Sequence, residues 1–264
     1  MKTALWFAAA LLLLAIPVSA QTDCTDGAPC YSAASITNGA SFEVGVLAPY
    51  TCVSIFGTNL SDTTAALSNL APGAPLPMSL GDASVLVNGV MAMMLYASPT
   101  QINFIIPIEI LPGTVTIQTT RSGLAGPAVQ MTLLPYAPGL FLYDEQTVLA
   151  IKGDWSGLYT PDAPAQPGDF VILYATGLGN VTPPFEDYEM PSLVGFIEAF
   201  DQFVVELNGV PVDPSYIFYA GSAPPFPGVY QINMQLPTGI GPNPQIQISI
   251  GTATSPTGFQ IPVQ

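Results

Sequence analysis

The chain has 264 residues, of which 49% are hydrophobic and only 8% charged, and its formal net charge is −15. This hydrophobic content supports a substantial core and excludes wholesale disorder, while the negative charge disfavours nucleic acid and anionic lipid as partners. Histidine is absent, which removes Ser-His-Asp and Cys-His catalysis and disfavours a zinc site.

The N-terminal stretch "MKTALWFAAALLLLAIPVSA" (1–20) has a basic residue, an apolar run and a small-residue end. This order is typical of a signal peptide, and we expect cleavage after Ala20. A membrane anchor is the alternative, but the apolar run before Pro17 is shorter than the ~20 residues that a spanning helix needs. No later apolar run is long enough to span a bilayer. We therefore predict a protein that is secreted or displayed on the cell surface, with the periplasm as a further location.

The three cysteines are Cys24, Cys30 and Cys52. Disulfides are stable in exported proteins, and "CTDGAPC" would close a short loop, so we predict a Cys24–Cys30 disulfide. Cys52 lies in an apolar strand pattern and is predicted to be a buried thiol. A Cys30–Cys52 bridge remains the alternative, because sequence does not settle connectivity.

Proline and glycine interrupt almost every segment after residue 38, so long helices are not expected. Short alternating or β-branched runs recur at roughly ten-residue spacing, which is typical of β-sandwiches and barrels. The stretch 191–200 is ambiguous and could hold one helical turn. The predicted strands lie at 51–57, 83–89, 101–107, 114–120, 128–134, 169–177, 202–209, 230–237, 244–251 and 258–264.

The chain contains an internal repeat. "VLVNGV" (85–90) corresponds to "VELNGV" (205–210), and a Tyr-Ala pair followed by Gln-Ile-Asn occurs at 96–103 and again at 219–233. A repeat of this size favours two tandem immunoglobulin-like β-sandwiches over a solenoid. The predicted organisation is a signal peptide (1–20), a Cys-containing segment (21–34), sandwich 1 (35–142), a connecting segment with a hairpin (143–168) and sandwich 2 (169–264).

Side chains alternate between the two faces of a strand. Ile102 therefore belongs in the core, while Gln101 and Asn103 face outward, and Gln231 and Asn233 repeat this arrangement. One interpretation is that the amides tie down the neighbouring proline-rich loops. The other is a ligand-facing row of amides, as in sugar binding.

The loop of the second repeat is rich in aromatic residues and proline. It is either an exposed recognition tip or a lid that folds over the end of the sandwich. The candidate ligand-binding residues are Gln101, Asn103, Tyr219, Phe226, Tyr230, Gln231 and Asn233.

An acidic stretch, "PPFEDYEMP", contains Glu186, Asp187 and Glu189. Several oxygen ligands on one loop could bind Ca²⁺, but the stretch matches no defined calcium loop, and a solvated acidic surface is the alternative. A carboxylate pair could also hydrolyse glycosides, but nothing else in the sequence indicates an active-site cleft. We assign no catalytic residue and no cofactor beyond this candidate calcium site.

Several motifs resemble the uncharacterised Solibacter C-terminal domain family of acidobacterial exported proteins, whose "GTNL"-type turns are similar to IPT/TIG immunoglobulin-like folds. The resemblance covers about residues 35–264 and implies tandem immunoglobulin-like repeats, but it carries no assigned activity or catalytic residue. Ala175 stands where the family usually has glycine. The matching stretches are "ITNGASF" (36–42), "IFGTNLS" (55–61), "YASPTQINFIIP" (96–107), "YAPGLF" (136–141), "PAQPGDFVILYATGLGNVTPP" (164–184), "LNGVPV" (207–212) and "YAGSAPPFPGVYQINMQLP" (219–237).

The sequence favours a non-catalytic binding or structural module that contacts an extracellular protein or the cell envelope. The alternative is a carbohydrate-binding module with an extracellular polysaccharide as partner. A glycan-active enzyme is a third hypothesis, and it lacks recognisable site chemistry.

Overall fold

The computed structural model describes Cys24 and residues 27–185 and 188–264. The predicted signal peptide lies outside the described residues. Across the described ranges the chain forms 22 strands and three short 3₁₀ helices, Ala33–Ser35, Phe200–Gln202 and Pro214–Tyr216, and has no α-helix. None of the helices in this part of the chain has the length and apolar character required to cross a membrane.

The N-terminal half forms two antiparallel sheets. One has the strand order β1-β2-β7-β6-β3, and the other has the order β10-β8-β4-β5, with β9 also paired to β8. The strands are β1 (Ile36–Asn38), β2 (Cys52–Phe56), β3 (Ala65–Ala66), β4 (Ala83–Val87), β5 (Val90–Met91), β6 (Met93–Ala97), β7 (Gln101–Ile105), β8 (Gly113–Arg121), β9 (Leu124–Ala125) and β10 (Val129–Leu133).

The C-terminal half also forms two sheets. The larger has the order β13-β12-β14-β20-β19-β16-β15, with β11 also paired to β14, and the smaller has the order β18-β17-β21-β22. The strands are β11 (Gly139–Leu140), β12 (Ala150–Lys152), β13 (Leu158–Tyr159), β14 (Phe170–Thr176), β15 (Val181–Thr182), β16 (Phe196–Ile197), β17 (Phe203–Leu207), β18 (Val210–Pro211), β19 (Ile217–Ala223), β20 (Phe226–Gln235), β21 (Ile246–Ile250) and β22 (Ala253–Thr254).

The two halves share one topology. The order β2-β7-β6 in the first corresponds to β14-β20-β19 in the second, and β8-β4-β5 corresponds to β21-β17-β18. Equivalent hairpins turn at Asn88 and Asn208, whose φ angles are 50° and 53°. The Asn88 side chain accepts a hydrogen bond from Thr116 N at 2.8 Å, and that of Asn208 accepts one from Gln245 N at 2.9 Å. The predicted all-β fold is confirmed, and the matching strand orders agree with the internal repeat. The predicted number of sandwich domains stays a prediction.

Two predicted segments differ in detail. Residues 258–264 form only isolated bridges, at Gln260 and Val263, rather than a strand. The ambiguous stretch 191–200 contains strand β16 and leads into a 3₁₀ turn.

The connecting segment does carry a hairpin, β12–β13, which extends the larger C-terminal sheet through pairing with β14.

Each pair of sheets packs face to face because alternate strand residues are buried. Val85 and Ile102, from different sheets, both lie in the N-terminal core, and Val205 and Ile232, also from different sheets, both lie in the C-terminal core. The C-terminal core also extends into the first half, where Cys52 belongs to it. The sandwiches are therefore joined by buried apolar contacts, and the division into domains at the stated boundaries stays a prediction.

Thr176 links the two halves through its buried hydroxyl. Thr176 Oγ1 donates to Gly228 O at 2.7 Å and accepts from Cys52 N at 2.9 Å. Alongside it, the Tyr50 ring stacks on Phe185 with a centroid separation of 3.9 Å. This junction fixes strand β2 of the first half against the β14–β20 pair of the second.

Replacing Thr176 with valine is expected to lower the free energy of unfolding by about 2 kcal/mol, because Cys52 N and Gly228 O would lose a buried partner. The measurement is urea denaturation, with Thr114→Val as the control, since Thr114 is an exposed strand residue. Equal stability of the Thr176 variant and the control would show that the hydroxyl does not stabilise the junction.

Candidate functional site

The outer face of the larger C-terminal sheet carries the second Gln-Ile-Asn motif. In β20 the apolar residues Ile232 and Met234 are buried in the core. Gln231 and Asn233 consequently point to the opposite face, where both are only partly buried. Gln231 Nε2 donates to Asn233 Oδ1 at 2.7 Å, so the two amides form one hydrogen-bonded pair along the strand.

These amides lie in an open groove of about 600 Å³. Its walls come from the β12–β13 hairpin, the start of β14, the bulged strand β19 and the middle of β20. The lining residues are Lys152, Gly153, Asp154, Trp155, Tyr159, Phe170, Val171, Ile172, Phe218, Gln231, Asn233 and Met234.

Three aromatic side chains of the groove are unusually exposed. Trp155, Phe170 and Phe218 have 50%, 52% and 51% of their surface accessible. The Phe170 and Phe218 rings lie 5.6 Å apart with an interplanar angle of 36°. Large aromatic side chains normally contribute to cores and interfaces, so three exposed ones around one groove make it the candidate binding site of the described chain.

Local backbone geometry places two of these rings. Trp155 lies in the turn between β12 and β13, where Lys152 N donates to Gly157 O at 2.9 Å and Trp155 N donates to Lys152 O at 2.8 Å. Its φ of 61° is in the left-handed region, which is strained for a bulky residue. Phe218 lies at a register shift in β19 between Ile217 and Tyr219, and such a bulge changes the direction of a side chain.

The charged residues of the groove are Lys152 and Asp154. Lys152 Nζ lies 5.7 Å from the centroid of the Tyr159 ring, within the range of a cation–π contact. Hydrogen bonds from Ser156, with the nearby Lys152 charge, lower the pKa of Asp154. Burial, together with the bond that the Tyr159 hydroxyl donates to Asp169, raises the pKa of Tyr159 to about 12.

Ligand binding in this groove is expected to be independent of pH between about 5 and about 9. A carboxyl group whose pKa is lowered is ionised at every pH above the usual pKa of that group, so Asp154 keeps its negative charge throughout this interval. Tyr159 stays neutral below its raised pKa, and the chain has no histidine. The affinity should be measured across the interval, where a titration step would contradict the assignment of the groove residues.

The first Gln-Ile-Asn motif is arranged similarly but is less accessible. Gln101 is buried, with 5% of its surface exposed, and its Nε2 donates to Asn103 Oδ1 at 2.9 Å. Ser54 Oγ also donates to Asn103 Oδ1, at 3.0 Å. In both motifs glutamine therefore donates to the asparagine of its own strand rather than to a proline-loop carbonyl. Only the second pair lies in the groove.

The predicted aromatic residues lie away from the groove lining. Tyr230 is fully buried, and its hydroxyl donates to Gly179 O. Tyr219 is 8% exposed, and its hydroxyl donates to Ser222 O at 2.5 Å. Phe226 is partly buried, with its ring edge-on to Tyr174 at 6.3 Å. Tyr219 and Tyr230 are packing residues, and we do not retain these three residues in the candidate site.

The start of β20, which follows the proline-rich turn after β19, packs onto the first half of the chain. Pro227 and Gly228 are buried, and Cys52 Sγ lies 3.8 Å from Pro227 O. Pro227 and Gly228 are therefore not part of an exposed recognition tip, and the lid over the end of the sandwich stays a prediction.

Glu189 and the three cysteines lie outside the groove lining. Glu186 and Asp187 are outside the described residues, and Glu189 is exposed, forming a backbone bridge with Pro75. Within the described ranges no group of three or more acidic or cysteine side chains is placed to hold a metal ion. Cys24 is disulfide-bonded to Cys30, and Cys52 is a buried thiol whose pKa is raised by burial to about 12.

Sequence reasoning missed Lys152, Trp155, Phe170 and Phe218 as residues of this groove. Trp155 carried a usable signal, because it is one of only two tryptophans in the chain and lies in the polar turn "KGDWSG". Phe170 lies in a predicted strand and carries no other signal, and Phe218 lies outside every predicted strand, in what the structure shows to be β19. Their exposure depends on the ends of the sheet and on the bulge, which no local pattern specifies.

No protein-family model and no curated protein sequence matches the chain. Among solved structures it is similar to the surface glycan-binding protein PbSGBP-B from Prevotella bryantii, with 12% identity, a TM-score of 0.29 and coverage of 92% of this chain and 43% of that chain. It is also similar to SGBP-B of the Bacteroides ovatus mixed-linkage glucan utilization locus, solved in complex with a mixed-linkage heptasaccharide. Here the identity is 10%, the TM-score is 0.32, and the match covers 83% of this chain and 43% of that chain. A third similar structure is that of domains 5-6 of the S-layer protein SbsC, with 11% identity, a TM-score of 0.27 and coverage of 89% of this chain and 98% of that chain. The chain spans less than half the length of the first two, and at these TM-scores the likenesses carry no argument about function.

Proposed function

We propose that this protein is a non-catalytic binding module whose groove binds a carbohydrate. The observation that carries the proposal is the set of exposed rings of Trp155, Phe170 and Phe218 around the amide pair Gln231–Asn233. This arrangement favours the carbohydrate hypothesis over the protein-contact hypothesis that the sequence favoured.

The chemistry of a sugar ring matches both parts of this groove. The apolar faces of a sugar can pack on exposed aromatic rings, which provide a large contact area with few side-chain rotations. Its hydroxyl groups can bond to amides, because a side-chain amide offers both donors and an acceptor. Pockets that combine an apolar lining with a few placed polar groups are typical ligand sites.

The carboxylate content of the groove lining supports binding without hydrolysis. Asp154 is the carboxylate among the lining residues of the described chain, whereas most glycoside hydrolases use two carboxyl groups that flank the scissile bond. We therefore propose that a bound polysaccharide is held and not cleaved.

The test is retention of the purified protein on a panel of insoluble polysaccharides, followed by calorimetry with soluble fragments of any that bind. Asn233→Ala is expected to weaken binding by about tenfold through the loss of a hydrogen-bonding group. Asn103→Ala is the matched control, because it alters the equivalent residue of the first half, outside the groove. Binding that is unaffected by Asn233→Ala, or equally affected by both changes, would contradict the proposal.

Contact with a protein of the cell envelope is the second candidate function. The observation that favours it is a short run of exposed apolar side chains, Leu193, Val194 and Phe196, which are 54%, 62% and 51% accessible. Retention by isolated envelopes and not by any polysaccharide, with loss of retention in Val194→Ser, would support this function over the first.

We also propose that the protein acts outside the cytoplasm, secreted or on the cell surface. The predicted signal peptide and the Cys24–Cys30 disulfide support this location, because disulfides persist in oxidising compartments. Membership of the Solibacter C-terminal domain family remains a proposal that rests on the quoted motifs, and it assigns no ligand.

A further inference from the structure

The polar groups of the groove occur as paired donors and acceptors. Because Gln231 Nε2 donates to Asn233 Oδ1, the Gln231 carbonyl oxygen is left as an acceptor and the Asn233 amide nitrogen as a donor. Lys152 adds a charged donor and Asp154 a charged acceptor. Neighbouring sugar hydroxyls match such pairs, since each hydroxyl can both donate and accept, whereas a carboxylate or sulfate group only accepts.

The formal charges of the groove cancel. The positive charge of Lys152 is compensated by the negative charge of Asp154, two residues later in the chain. The lowered pKa of Asp154 keeps this carboxyl group ionised at neutral pH. The rest of the chain offers little further positive charge, because the whole chain has three basic residues, Lys152 included, against 18 acidic ones. Of these, Arg121 is paired with Asp62 at 3.2 Å and donates to Gly27 O. An anionic ligand in the groove would therefore meet no uncompensated cation and a net negative protein field.

We propose, resting on the carbohydrate function above, that the groove selects an uncharged sugar chain with adjacent hydroxyl groups and discriminates against uronic-acid and sulfated chains. Asp154 is the residue that discriminates. Its carboxylate accepts hydrogen bonds from hydroxyl groups and repels an acidic group that approaches Lys152. Lys152, held over the Tyr159 ring, then acts as a hydroxyl donor and not as a binding site for anions.

The experiment compares a neutral polysaccharide that the protein retains with the same polysaccharide after oxidation of its primary hydroxyls to carboxylates. Binding is measured at about 20 mM and about 500 mM NaCl, because screening at the higher salt removes most interactions between exposed charges. The neutral chain is expected to bind with the same affinity, within about twofold, at both salt concentrations. The oxidised chain is expected to bind at least about tenfold more weakly at low salt.

Two variants test whether Asp154 causes the preference for the neutral chain over the oxidised chain. Asp154→Asn is expected to raise the ratio of oxidised-chain affinity to neutral-chain affinity at least about fivefold at low salt. It removes the charge that repels the oxidised chain, and it also weakens the hydrogen bonds that the carboxylate accepts from the neutral chain. Asp162→Asn removes an exposed carboxylate of the same segment that is not part of the groove lining, so it is expected to change neither affinity. Melting temperatures of both variants show whether they are folded.

Every other outcome contradicts either the proposed selectivity for neutral sugars or carbohydrate binding as a whole. If the unaltered protein prefers the oxidised chain and loses it at high salt, the groove is a site for acidic sugars, and this inference is wrong while carbohydrate binding stands. Equal binding of both chains, or equal effects of the two variants, also overturns it. If no polysaccharide in the panel is retained at either salt concentration, the proposed function fails, and this inference fails with it.

Discussion

Replacing Trp155 with alanine is expected to weaken polysaccharide binding by about 30-fold, or about 2 kcal/mol, the loss typical of a central aromatic contact. Half of the Trp155 surface is accessible, so its ring contributes little to the core and is available to a ligand. The turn holds the residue at a φ of 61°, which is strained for a large side chain. Strain retained at an exposed position is typical of functional residues.

The strain permits a second variant that separates binding from folding. Trp155→Gly should lose binding as fully as the alanine variant does, yet its melting temperature should not fall, because glycine adopts positive φ without steric cost. Phe196→Ala is the control, since Phe196 is a similarly exposed aromatic residue outside the groove lining. Calorimetry and thermal melting should be run on all three variants. Retained binding in both Trp155 variants would remove this residue from the site.

Replacing Gly228 with alanine is expected to lower the free energy of unfolding by about 3 kcal/mol, from backbone strain together with overpacking. Gly228 has a φ of 71°, and a Cβ there would lie 2.7 Å from Cys52 Sγ and 3.1 Å from Ile105 Cγ1. Both neighbours belong to the first half of the chain and are buried, so neither can move without disturbing the junction.

Gly209→Ala is a closely matched control for this change. Gly209 has a φ of 72°, and a Cβ there would have no heavy atom within 4 Å. The control therefore bears only the cost of the left-handed backbone, about 1 kcal/mol. Urea denaturation of both variants gives the difference between them, which measures how tightly the two halves pack. Equal losses would show that the junction can relax.

The internal repeat and its hairpin turns could be predicted from the sequence because both depend on residues that are close together in the chain. Asn-Gly pairs at 88–89 and 208–209 specify tight hairpins through their positive φ values. The alternation in β7 and β20 assigned Ile102 and Ile232 to the cores. These signals are short-range, so the sequence was enough to predict an all-β chain of repeated sandwiches and the outward direction of its amides.

The sequence by itself determined the internal repeat, the negative charge and the positions of nine strands of this protein, but it did not predict β6 and β19. Only the tertiary structure decided which of two similar amide pairs is accessible. The Gln101–Asn103 pair lies on the sheet whose outer face supplies Cys52 and Ile105 to the second core. The Gln231–Asn233 pair instead opens into a groove built by the β12–β13 hairpin and a bulge in β19. Accessibility depends on how distant segments pack against each strand, and strand alternation alone does not encode that information.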